Sequence, residues 1–89
     1  MINDPFRNSS DSPSAPAEYC FDVLPDDGAD LPRATKALFI GEAGDVTLVS
    51  VRGDAEVTFR NLSAGTILDV RARAVRITGT TAGSIVGLA

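Results

Sequence analysis

The sequence predicts an all-β protein: a small antiparallel β-sandwich or barrel, jelly-roll-like, behind an extended N-terminal arm. Two features carry that expectation. Apolar and polar residues alternate with period two in several short stretches, most clearly Ala55, Val57 and Phe59 against Glu56, Thr58 and Arg60. This is the pattern of a strand with one dry face and one wet face. Turn-forming pairs and clusters rich in Gly, Pro, Asp and Asn punctuate those stretches, and no segment reads as a helix.

The elements follow in order. Residues 1–17 contain Pro5, Pro13 and Pro16 with Ser9, Ser10, Ser12 and Ser14. That composition builds no core and reads as an arm, and residues 18–89 read as the β domain. Glu18 to Leu24 is the first expected strand, with Tyr19, Phe21 and Val23 on one face and Cys20 on the other. Pro25-Asp26-Asp27-Gly28 turns, and Lys36 to Ile40 is the next strand. Gly44 to Leu62 then reads as a hairpin. A tight turn at Gly53-Asp54, with Gly53 at positive φ, would pair Leu48 with Phe59 and Val49 with Thr58 and bury Val57 and Phe59. Thr66 to Thr78 is the longest β pattern. Its phase slips near Ala74-Val75, where a bulge or corner is expected. Ser84 to Leu88 closes a set of about six strands. A chain of this length buries only about 60% of its unfolded surface, so association between copies is the expected source of further stability.

Composition excludes several functions. The chain has no His, no Trp and one Cys, which removes the usual general base, the commonest zinc ligand and any internal disulfide. No enzyme, cofactor or metal is expected. The net charge of −4 hides an asymmetry: residues 1–30 carry seven acids and Arg7 (net −6), residues 31–89 seven bases and five acids (net +2). A net acidic chain without a basic cluster is a poor nucleic-acid ligand. No apolar run approaches the ~20 residues that span a bilayer, and no secretory signal pattern is present. Synthesis in a cytoplasm with a free thiol is therefore expected.

Each candidate site has a plain structural reading beside it. Arg52-Gly53-Asp54 spells an integrin-type tripeptide and reads as a hairpin turn. Asp26, Asp27 and Asp30 offer oxygens to a hard cation but lack the spacing of a calcium loop, so a solvated acidic turn is the simpler reading. Two glycosylation sequons, at Asn8 and Asn61, read as chance matches. Cys20 has no His to activate it. Arg71 and Arg73, with Arg60 on a neighbouring strand, suggest a basic stripe, either paired with Glu56 and Asp69 or forming a subunit contact that receives the acidic arm. Ile2 and Phe6 are the apolar anchors the arm would use.

Taken together, an ordered set of segments resembles a known family. It comprises Pro25-Asp26-Asp27-Gly28 with Asp30-Leu31, Thr35 through Gly41, Gly44-Asp45-Val46, Val57-Thr58-Phe59, Ala64 through Leu68 with Val70-Arg71, and Thr78 through Ala82 ending in Ile85 through Leu88. In this order and spacing they resemble the head spike base proteins of tailed phages and gene transfer agents of alphaproteobacteria. Lys36, Asp69 and the Leu88-Ala89 ending depart from that pattern. The resemblance implies a structural, non-enzymatic virion component on the head surface of a phage or gene transfer agent particle. It would form a homo-oligomeric ring at capsid vertices, five-membered by vertex symmetry, bind the capsid protein, and carry a spike fiber protein that contacts host polysaccharide. The alternative is a free-standing β module that binds a carbohydrate or protein partner directly.

Overall fold

A computed structural model describes residues 16–89. They form seven strands: β1 (Cys20–Asp22), β2 (Ala37–Ile40), β3 (Gly44–Ser50), β4 (Val57–Leu62), β5 (Thr66–Leu68), β6 (Ala72–Val75) and β7 (Val86–Leu88). All pairings are antiparallel, in a four-stranded sheet of order β1-β7-β2-β5 and a three-stranded sheet of order β4-β3-β6. No helix occurs among the described residues. The expected all-β, two-sheet class is the observed one. The expected arm falls mostly on residues 1–15, outside the described residues.

The core lies between the sheets. Leu38 and Ile40 of β2 meet Val46 and Leu48 of β3 and Ala72 and Val75 of β6, closed by Val23, Ala82 and Ile85. Leu38, Ile40 and Val46 are wholly buried. Each contributes roughly 1.5–3 kcal/mol by leaving water. Gly87 has to lack a side chain because the Phe21 ring packs where its Cβ would stand. Gly44 has φ 155° and lies against the backbone of Ala82, so a side chain there meets both strain and a clash.

The long pattern at 66–78 is two strands in different sheets. The chain leaves β5, turns through a Val70 N–H to Leu68 carbonyl bond of 2.9 Å, and enters β6. The break therefore falls at 69–71, earlier than the phase slip suggested. The slip reflects an irregularity within β6. Its pairing with β3 runs Leu48↔Val75, Val49↔Ala74 and then Ser50↔Ala72, leaving Arg73 as the extra residue. Thr35, wholly buried, pins this corner. Its N–H donates to the Ala72 carbonyl at 2.9 Å. Its hydroxyl donates to the Val70 carbonyl at 3.2 Å and accepts from the Ala72 N–H at 3.1 Å.

The central hairpin differs from expectation in register and turn. Val46 opposes Phe59, Thr47 opposes Thr58 and Leu48 opposes Val57, a shift of two residues that keeps every side chain on its predicted face. Gly53 does not have positive φ. Its N–H bonds to the Ser50 carbonyl at 3.1 Å, placing it fourth in the turn, where Gly is favoured without a left-handed backbone. The connection is thus 51–56. Phe59 packs partly buried against the core. Val57, expected inside, is 51% exposed because β4 is an edge strand and this residue is at its end.

The edge of β6 is covered by the chain itself. The N–H groups of Asp26, Leu31 and Thr35 donate to the carbonyls of Val75, Arg73 and Ala72. Residues 76–82 then return along β3, with Arg76 N–H bonded to the Thr47 carbonyl and the Thr81 and Ala82 N–H groups bonded to that of Asp45. The Arg76 side chain, 15% exposed, ties two loops to its own segment. Its Nη1 donates to the carbonyls of Asp26 and Ala29 at 3.3 Å. Its Nε lies 3.2 Å from Glu56 Oε2, an electrostatic contact that is not aligned as a hydrogen bond.

Leu38→Ala should destabilise the domain by about 2–5 kcal/mol, whereas Val57→Ala should stay within about 0.5 kcal/mol of wild type. Urea denaturation followed by circular dichroism checks both. Equal midpoints for the two variants would contradict the core described above.

Candidate docking surface

The strand register fixes what the outer face of the four-stranded sheet presents. Cys20, Leu88 and Ala37 form one outward row, and Asp22, Val86, Phe39 and Ile67 the next. The inward row, Phe21, Gly87, Leu38 and Leu68, packs on the core. An outward face of a sandwich is ordinarily polar. Here Ile67 is 61% exposed, Phe39, Val86 and Leu88 are half-buried, and Asp22 is the only charged residue in the two rows.

A basic rim borders one end of this face. Glu18, Tyr19, Arg33, Ala34, Lys36, Arg71 and Ala89 line a groove of about 200 Å³. The N–H groups of Glu18 and Tyr19 both bond to the Ala89 carbonyl, which fixes the start of β1 beside the end of β7. The Arg33 guanidinium lies 3.9 Å from the Tyr19 ring centroid, a cation–π contact. Tyr19, expected on one face with Phe21 and Val23, is 57% exposed at the end of the sheet, where its backbone pairs with Ala89. The Lys36 ammonium reaches the Pro16 carbonyl at 3.4 Å. A second groove, of about 280 Å³, shares Arg71 and adds Ser50, Val51, Arg52 and Val70.

Ion pairing separates these arginines from the rest. Arg60 pairs with Asp45 at 3.6 Å, Arg73 with Asp30 at 3.1 Å and Arg76 with Glu56. Arg33, Arg52 and Arg71 have no carboxylate partner among the described residues, and all three line the two adjoining grooves. Three arginines against Glu18 leave these grooves with an excess of positive charge, while carboxylates elsewhere pair with the other arginines.

The acids gather beyond the other end of β1. Asp22, Asp26, Asp27 and Asp30 lie in a nine-residue stretch with no base, and Leu24 within it is 79% exposed. The three candidate cation ligands are occupied separately. Asp26 Oδ1 accepts from the N–H groups of Gly28 and Ala29. Asp27 Oδ1 accepts from the N–H groups of Ile77 and Thr78, and its Oδ2 from the Thr78 hydroxyl at 2.8 Å. Asp30 takes Arg73. Among the described residues, no group of three His, Cys, Asp or Glu side chains is placed to hold a metal ion. No described helix is long and apolar enough to cross a membrane.

Of the predicted interface residues, Ile2 and Phe6 lie outside the described residues. Arg60, Arg71 and Arg73 do not form one stripe. Arg60 is on β4 and Arg73 on β6 with β3 between them, and Arg71 precedes β6 at the groove. Of the anions expected to pair with them, Glu56 takes Arg76 instead. Sequence reading missed Arg33, Lys36, Arg52 and Tyr19 as surface partners of Arg71. Periodicity carries no signal for them, because all lie outside the strands in segments brought together by the fold. The acidic lead also divides differently: residues 1–17 hold Asp4, Asp11 and Arg7, while the other five acids belong to the structured region.

No family model matches the chain, and no curated protein does. Among solved structures, a chain from "Capsid of native GTA particle computed with C5 symmetry" matches at 36% identity and a TM-score of 0.80, over 97% of this chain and 99% of that one. The chain belongs to the family of that gene transfer agent protein. As a member, it is a structural component of a gene transfer agent or related virion particle.

Asp27 makes loop closure dependent on pH. The Thr78 backbone N–H, then the Thr78 hydroxyl, lower its pKa below the ordinary value; desolvation opposes them, and the Ile77 N–H and Arg76 add lesser lowering effects. A depressed folded pKa gives stability that is present above the unfolded value of about 3.9 and is lost as pH falls through the lower folded value. Melting temperatures from pH 7 to pH 2 should therefore drop at the acid end. Asp27→Asn should flatten that drop, and an unchanged profile would show that the carboxylate does not hold the loop.

Proposed function

We propose that this protein is the base subunit of a head spike. Copies form a ring, five-membered at the five-fold vertices of the capsid, sit on the head surface against the capsid protein and carry the fiber protein that contacts host polysaccharide. The observation that carries this reading is the end-to-end similarity to a chain from a gene transfer agent capsid computed with C5 symmetry. The outer sheet face supports it: an apolar surface rimmed by arginine and tyrosine has the makeup of a protein interface. So does the size of the chain, since a core drawn from nine buried residues gains from burial between copies. Residues 1–17 serve as an assembly arm with Ile2 and Phe6 as its anchors.

Particles made with and without this protein test the reading. Cryo-electron microscopy should show vertex density in the first and bare vertices without fibers in the second. Vertices that remain decorated without the protein would refute it.

A further inference from the structure

We infer that copies associate head to tail. The acidic loop 22–30 of one copy docks on the apolar outer face and basic grooves of the next. The inference rests on the ring reading above and names its contact.

Three observations carry it. First, Arg33, Arg52 and Arg71, the arginines without a carboxylate partner among the described residues, converge on adjoining grooves that border the exposed apolar row. A guanidinium cluster that forms no ion pair among the described residues, with Glu18 as the acidic side chain of its lining, beside aliphatic side chains fits a partner that presents carboxylates together with an aliphatic residue. Second, the chain carries such a partner. Residues 22–30 hold four aspartates and no base, with Leu24 projecting at 79% exposure. Asp22, which stands where the loop meets the outward row of the sheet, forms no ion pair among the described residues, and the Asp30 side chain is 53% exposed even in its pair with Arg73. Third, the part of the acidic loop that carries Leu24 lies away from the first groove within one copy, although Asp30 at its far end takes Arg73, whose Nη2 donates to the Gly53 carbonyl beside Arg52. Tyr19 precedes β1 and Leu24 follows it, so at about 3.3 Å per residue they stand roughly 16 Å apart, at opposite ends of the same strand. Two different complementary patches, centred on Leu24 and on the Arg33–Arg71 groove, make a heterologous contact, the type that closes into rings. A polysaccharide partner is less well matched: the Arg33 guanidinium lies over the Tyr19 ring, and the adjoining sheet face is aliphatic and phenylalanine without a hydroxyl or amide.

Sedimentation velocity on the full chain tests the docking. Arg33→Glu combined with Arg71→Glu, and separately Leu24→Ser, should each weaken self-association about tenfold or more. Arg60→Glu, an equal charge change per residue at a remote site paired with Asp45, should not. Circular dichroism verifies that each variant is folded. Raising salt should weaken the wild type and leave the charge-reversed variant unmoved. If the double variant associates like Arg60→Glu, the docking proposal is overturned. It is also overturned if the substitutions abolish binding to polygalacturonate and leave self-association intact. Native mass spectrometry of particle-derived protein separates this from the ring reading. A ring that persists in the variants defeats the docking proposal alone, and a wild type that is monomeric on particles defeats both.

Discussion

The chain has to pass from one sheet to the other at residues 69–71 without leaving buried backbone groups unpaired. That requirement shapes most of the fold. In so small a sandwich there is no room for a solvated corner, and an unmatched N–H costs about 1–3 kcal/mol. Thr35 resolves it with one side chain and its own backbone, serving both Val70 and Ala72. Thr35 stands two residues before β2 and Ala72 opens β6, so this bond also sets the entry of one strand in each sheet. Leu38 and Ile40 then face Val75 and Ala72 across the core. Serine would keep the bonds and lose packing, and valine would keep the volume and strand the amide.

The sequence makes the strands legible and the pairings less so. Val46 and Leu48 belong to the core as their spacing implies, and the shift of two residues in the hairpin leaves faces unchanged because strand periodicity is two. The turn was misread for a physical reason. Glycine serves both as a left-handed residue and as the fourth residue of an ordinary turn, and Gly53 holds the second position. The break at 69–71 could not be located from alternation, since Leu68, Val70 and Ala72 keep one phase across two sheets.

The candidate surface was legible in only one residue, Arg71. A strand pattern reports which residues face a core but not which loops meet. Arg33 and Tyr19 in one groove and Arg52 in the other share a lining with Arg71 through a chain path that no local spacing encodes. Composition helps only in hindsight: with five acids and seven bases in residues 31–89, some arginines must lack a local anion. The fold decides which. Asp30 and Asp45, at loop and strand positions, take Arg73 and Arg60.

The segment that runs along β6 has a further consequence. Three of its N–H groups occupy the carbonyls that β6 would otherwise offer to a foreign strand. The segment is anchored to the following loop by Asp27, an exposed carboxylate whose grip lasts only while it is ionised. Acid therefore removes one of the fastenings of a protected strand edge. The guard rail over β6 is thus fastened at several points, by Asp27 on the following loop, by Arg76 on the Asp26 and Ala29 carbonyls and by the Asp30–Arg73 pair, so that a foreign strand meets an edge already taken.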